Sequence, residues 1–426
     1  MTLPRLYPVL FSLCVPLVFL HADYQPSVTV SVGGSDATLY LSDFAVLAAG
    51  AVGLAAGLRL GFAPLRAGRA IWIASAVFLA FVLAGTAVGA ATTDGYPLAD
   101  NLLTTAKFAE YALLALAAPL AIRAAQELTP LLVTLTAWSA AATFGALLQF
   151  LGVLNEFEGR RPGQREPSFL GIHDLAALSG ATLAVGLLAL ALAERRRLGM
   201  IAGVAGGLGV LLSGATAAIV GVAAAGAAAW LFGRRRTLAI AAVVLVVAGG
   251  TIAIRTVDTR PLLDALRIER PRDVATDPEA SWQQRAALAY IGGRIFLDHP
   301  LLGVGWQASS EPEHYEPYLA DARARFPDLP ERALPNPEHA WGVQNAYVQA
   351  AADLGLGGLV AWLAFLLVPL AVAWRAGPVS GVPILWLLVS MGIWIGLGLV
   401  AGIPLVGLMW LSIGLAIAST TWRERA

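Results

Sequence analysis

Residues 346–373 read AYVQAAADLGLGGLVAWLAFLLVPLAVA, with no charged side chain from Leu354 to Ala373. At 1.5 Å per residue, those twenty residues make a helix about 30 Å long, the depth of a bilayer's hydrocarbon core. The run is one of twelve. The others fall at about 4–21, 41–58, 70–91, 102–122, 129–153, 172–193, 199–213, 214–232, 237–254, 381–400 and 402–420. Hydrophobic residues make up 58% of the 426 and charged ones 13%, about half the charged share of a water-facing globule. The sequence therefore reads as an all-α integral membrane protein of about twelve transmembrane helices.

Composition excludes several classes. A net charge of zero gives no sign of a nucleic-acid partner. The single cysteine, Cys14, cannot form an intramolecular disulfide or a cysteine metal cluster. No small-x-small pattern closes the first apolar stretch, and the second follows soon after, so it reads as a retained span. The Gly- and Ala-rich stretch 199–232 breaks near Ser213-Gly214, as two short spans or one broken one.

Arginine placement sets the orientation. With the N-terminus inside, the short inner connections carry Arg59, Arg66 and Arg69, then Arg123, Arg195 to Arg197, Arg234 to Arg236, Arg375, and finally Arg423 and Arg425. Every inner connection is then basic, as the positive-inside rule requires. Both termini are expected in the cytoplasm of a cell whose plasma (inner) membrane holds the protein. The chain divides into nine helices over 1–254, an extracytoplasmic loop over 255–345, and three helices over 346–426.

Three outer segments stand out. Residues 22–40 alternate like a short hairpin around Gly33-Gly34. The 154–171 loop holds Arg160, Arg161 and Arg165. The 255–345 loop is too long for a connector and is expected to fold. Within it, Ser281 suits a helix cap, with Leu288, Ile291 and Ile295 as an apolar stripe ended by Pro300. That helix is expected on the membrane surface or over a cavity, and 309–338 reads as irregular.

Guanidinium groups at a membrane-edge cavity suit a pyrophosphate, which each can bind bidentately; the plainer reading of any one outer arginine is a solvated loop residue. Of the five histidines, His21 and His314 read as bland. His299 sits at a helix C-terminus, where a cation is favoured, and His173 neighbours Asp174 at the start of the sixth span. His339, just before the tenth span on the outer side, is the best-placed base. No metal-ligand spacing is present, so neither metal nor cofactor is expected. Lys107, the only lysine, stands three residues from Glu110 in the fourth span. The two read equally as functional charges or as a pair that neutralises itself.

Gln344-Asn345, nine residues, and then Gly355-Leu356-Gly357-Gly358 resemble the signature of the O-antigen ligase / O-antigen polymerase superfamily. The signature reads His, then Asn, Ser or Gln, nine residues, and Gly-x-x-Gly. Phe296-Leu297-Asp298-His299-Pro300-Leu301-Leu302-Gly303-Val304-Gly305 is similar to the family's DHPLxGxG segment. Arg285 stands where the family has its loop arginine. Arg165 with Ser168-Phe169, then Asp174-Leu175-Ala176, resembles the family's start of the corresponding span. Two departures stand: Gln344 replaces the signature histidine and cannot act as a base, and Ser213-Gly214-Ala215 lacks the family's arginine.

The resemblance implies transfer of a glycan from an undecaprenyl-pyrophosphate carrier to an acceptor hydroxyl, on lipid A-core, a growing glycan or a protein. Arg285 and Arg165 would clamp the pyrophosphate. His339 would take the base role, and Arg160, Arg161, His299, Gln344 and Asn345 would contact substrate. Implied partners are the lipid-linked donor, a lipid or glycan acceptor and membrane lipids. Two rivals come from other classes. A transporter or flippase would need polar residues spread through the midplane, and Gln344 would also fit a catalytically inactive binding protein.

Overall fold

The computed structural model describes residues 6–20, 22–32, 35–154, 165–191, 196–215, 218, 220–224, 278–336, 341–377, 380–394 and 403–422. Helix α1 (Leu6–Cys14) leads through a tight 3-10 turn into a hairpin, β1 (Ser27–Val32) and β2 (Ser35–Tyr40), paired antiparallel as the alternation predicts. Helices α2 (Leu41–Leu60), α3 (Arg69–Thr92), α4 (Leu98–Glu110), α5 (Ala112–Ala121), α6 (Thr129–Phe150), α7 (Ile172–Ala191) and α8 (Arg196–Ser213) follow. The segment expected outside the membrane holds α9 (Pro278–Asp298) and α10 (Pro312–Arg325), and α11 (Ala346–Arg375), α12 (Gly381–Trp394) and α13 (Ile403–Trp422) complete the bundle.

Seven helices among the described residues are long and apolar enough to cross a bilayer, and two shorter apolar ones accompany them. The expected span at 102–122 is instead two helices that meet at Tyr111. The break leaves a backbone carbonyl without its helical partner inside the membrane, where that costs several kcal/mol. Trp410 supplies the donor: its indole N–H reaches the Phe108 carbonyl at 3.0 Å. The expected span at 237–254 and most of the one at 214–232 lie outside the described residues.

Small residues bring the helices together. A Cβ on Gly53 of α2 would sit 2.5 Å from the Ala117 backbone of α5, and one on Gly414 of α13 would sit 2.8 Å from Ala115. Close backbone approach of this kind drives helix association where lipid removes the hydrophobic effect. Between these contacts Phe78, Phe108, Trp362, Phe365, Trp394 and Trp410 pack in tilted, stacked and edge-on pairs. Each such pair adds about 0.5–1.5 kcal/mol beyond simple burial.

Polar contacts sort the connections to two ends. At one end Arg123 donates to the carbonyls of Leu60 and Gly61 at 2.7 and 2.5 Å, and Trp422 donates to the Ile122 carbonyl. At the other, Tyr96 Oη donates to the Trp306 carbonyl at 2.6 Å and Thr93 hydrogen-bonds His314 at 2.8 Å. Each contact joins segments assigned from the arginine pattern to the same side of the membrane.

The Lys107–Glu110 pair is corrected. Lys107 Nζ reaches away from its own helix to Asp43 Oδ2 at 3.0 Å and the Thr38 carbonyl at 2.9 Å. Asp43 has 2% side-chain exposure, so a cation from another helix is what keeps a buried carboxylate tolerable.

Candidate functional site

The segment 278–336 folds into its own small core, and three expectations about it change. The segment expected as irregular over 309–338 contains a helix, because α10 occupies Pro312–Arg325. Pro312 fits the first turn, Glu313 suits the positive N-terminal end, and Arg323 and Arg325 suit the C-terminal end. Helix α9 is already running at Pro278, so Ser281 lies inside it rather than capping it. The stripe Leu288, Ile291 and Ile295 is buried. Ile291 and Ile295 face Tyr315, Ala322 and Leu334 in a protein core, not the membrane surface.

This small domain is bolted to α11. A Cβ on Gly292 of α9 would meet Val343 at 2.7 Å and Val348 at 3.0 Å, so the two segments touch along this face. The turn after α9 locks into a break in α11 at Gly355, whose φ and ψ of +66° and −166° no side-chain-bearing residue adopts without strain. Leu356 N–H donates to the Pro300 carbonyl at 2.8 Å, Val304 N–H to Ala352 at 3.0 Å, and Gly305 N–H to Asp353 at 2.9 Å. Gly303 and Gly305 also have positive φ, and a Cβ on Gly303 would fall 2.3 Å from the Asp353 backbone. The glycines of the two sequence motifs are thus the two halves of one joint.

Asp353 closes it. Its carboxylate accepts the N–H groups of Gln307 at 2.9 Å and Ser309 at 3.2 Å, with Gln349 Nε2 at 3.3 Å, and the residue is fully buried. Nothing in the motifs singles out this residue. The available signal was one carboxylate in the nine-residue spacer between Asn345 and Gly355.

Arg285 stands on α9 two turns before Gly292 and so shares its α11-facing side. It is half-buried, and burial alone pulls its pKa below the usual arginine value. Among the described residues no carboxylate pairs with it. Gln344 is half-buried too, and its amide makes no hydrogen bond to described residues. Asn345 is committed elsewhere: its side chain caps α11, accepting from Tyr347 N and Val348 N at 3.1 Å each. Helix α11 therefore starts at Ala346, and 341–345 is non-helical, the chain break that a base at 339 would require. His339 itself, like Arg160 and Arg161, lies outside the described residues.

Arg165 is placed on a separate support. The strap 165–171 is wedged between α6 and α8: Glu166 N–H donates to Leu212 O at 3.0 Å, and Ser168 Oγ donates to Ala142 O at 2.6 Å. Gln149 brackets Ser168 with two further bonds, holding it at φ +56°. Next to the strap, His173 and the buried Asp174 open α7. His299 is exposed at the tail of α9, its carbonyl accepting from Gly303 N at 3.1 Å.

Residues 201–363 match the family model described as O-antigen ligase. The match takes in α9 with Arg285, the Pro300–Gly305 turn, Gln344, Asp353 and the Gly355 break, and ends within α11. It stops short of the Arg165 strap. No curated protein matches the chain.

Proposed function

We propose, from the match of residues 201–363 to the O-antigen ligase family model, that the chain is a membrane glycosyltransferase of the ligase type. It moves a glycan from a polyprenyl-pyrophosphate carrier to an acceptor hydroxyl. The observation that carries this reading is Arg285: a half-buried guanidinium, depressed by burial and with no described carboxylate to neutralise it. A desolvated cation without a partner favours a bound anion. The pyrophosphate of a lipid-linked donor presents one at the outer membrane face.

In the proposed step the acceptor oxygen attacks the anomeric carbon, and the bond from that carbon to the pyrophosphate oxygen breaks. The leaving group departs as polyprenyl pyrophosphate, with its charge stabilised by Arg285 and Arg165. The acceptor proton passes to a base, which this reading assigns to His339, since the amide of Gln344 cannot accept it. Asp353 is not offered as that base because its oxygens already accept from Gln307, Ser309 and Gln349. It holds the joint beneath the site.

The test is reconstitution. Purified protein in liposomes, given undecaprenyl-pyrophosphate-linked glycan and a lipid A-core acceptor, should yield glycosylated acceptor and free undecaprenyl pyrophosphate in equal amounts. Glycan lengthened on the carrier, with the acceptor untouched, would make the protein a polymerase. No turnover of donor with any acceptor hydroxyl would remove the transferase reading.

A further inference from the structure

With the α9 stripe enclosed in protein, three other leucines are left outside. Leu297, Leu301 and Leu302 are 68%, 77% and 64% exposed. A single exposed leucine is ordinary, but three within six residues make an outward apolar patch that water would not favour. Their backbone is fixed. His299 N–H donates to Ile295 O at 2.9 Å, Gly303 N–H to His299 O at 3.1 Å, and the Pro300 carbonyl is held by Leu356 N. A Cβ on Gly355 would lie 2.4 Å from the Leu301 carbonyl. The patch therefore sits at the level of Gly355 and cannot fold inward.

That level coincides with a membrane boundary. From Leu356 to Arg375, α11 runs twenty residues, about 30 Å, which matches the hydrocarbon thickness. Its bare apolar face starts at once, with Leu356 52%, Val360 56% and Leu367 48% exposed, four and seven residues apart on one side of the helix. The leucine turn adjoins the top of this face. The charged residues of the same outer domain, such as Asp321, Arg323 and Glu331, are exposed on α10 and the segment after it instead.

We propose that the Leu297–Leu302 turn inserts these three leucines into the outer leaflet, continuing the lipid-facing surface of α11. The occupant of the patch is acyl chain, and the polar groups between the leucines, Asp298 and His299, lie at headgroup depth. The insertion sets the height of α9, and hence of Arg285, against the bilayer. It rests on the membrane-spanning fold and is independent of the transferase reading.

The experiment uses full-length protein with Cys14→Ser, carrying Leu301→Cys, Leu302→Cys or, as a control on the same domain, Asp328→Cys. Each cysteine bears an environment-sensitive fluorophore in phosphatidylcholine nanodiscs, with lipid brominated at mid-chain or without bromine. Labels at 301 and 302 are expected to emit at shorter wavelength than at 328. They should be quenched several-fold more by brominated lipid than by aqueous iodide, with the order reversed at 328. Equal iodide quenching at all three sites would overturn the proposal. Protection of 301 and 302 from both quenchers, the signature of a covering protein segment, would overturn it as well.

Discussion

The backbone N–H of Gln307 donates to Asp353 Oδ2 at 2.9 Å, tying the turn after α9 to a carboxylate 46 residues further along the chain. Asp353→Ala would strand this donor and that of Ser309 in a buried site, at about 1–3 kcal/mol each. The expected outcome is a clearly lower melting temperature in detergent and faster proteolysis between Pro300 and Pro312. Asp353→Asn, which keeps one acceptor oxygen, should lose less. An unchanged melt in Asp353→Ala would mean that the carboxylate does not hold the joint.

Gly355 and Gly293 form a contrasting pair. A side chain at Gly355 must adopt φ +66° with its Cβ 2.4 Å from a carbonyl oxygen, while a Cβ at Gly293 meets nothing within 4 Å. Gly355→Ala should destabilise by about 1–3 kcal/mol from backbone strain alone. Gly293→Ala in α9 should be neutral or stabilising by up to about 1 kcal/mol. Equal melting of the two variants would contradict the break at Gly355.

The contrast marks what the sequence made legible. Long apolar runs between arginines reveal spans because lipid admits little else, and the hairpin at 27–40 follows from alternation. The Gly-x-x-Gly and Gly-x-Gly motifs stand in the sequence as separate signatures. Their interlocking is not visible there, since a one-dimensional pattern does not say which backbone needs the missing Cβ. Helix α10 was hidden by its prolines and charges, which read as loop until their positions at helix ends were known. The Lys107 partner was missed for a similar reason: Glu110 is near in sequence, while Asp43 is near in space.

His314 offers a test of the contact between α10 and the bundle. Burial lowers its pKa, and its ring hydrogen-bonds Thr93 at 2.8 Å. On acidification the unfolded chain takes up the proton first, so stability rises with pH in this range. The contribution is fully present above the unfolded value near 6.5 and is lost as pH falls through the lowered folded value. The melting temperature of the wild type should therefore drop below about pH 6.5. His314→Gln should flatten that part of the profile, and identical slopes would refute the link.

The Lys107–Asp43 pair predicts a non-additive cycle. Lys107→Met leaves the Asp43 carboxylate buried without its cation, a loss of about 3–5 kcal/mol. Adding Asp43→Asn should recover part of the stability, because the charge is gone while an oxygen remains for Tyr40 N, which Asp43 Oδ2 now accepts at 2.8 Å. Additive losses across the cycle would show that the two do not interact.

Arg285 decides the functional reading. Its guanidinium is half-buried on the face of α9 that meets α11, and burial depresses it with no described carboxylate beside it. The measurement is the initial rate of glycan transfer from undecaprenyl-pyrophosphate-linked donor in proteoliposomes, for wild type, Arg285→Ala and Arg285→Lys, at matched thermal stability. Removing a group that stabilises leaving-group charge should lower kcat/KM about 10²–10³-fold. Lysine should restore little, since it offers a point charge where a planar fork is wanted. A wild-type kcat/KM in Arg285→Ala would place the pyrophosphate elsewhere and remove the basis of the proposed function.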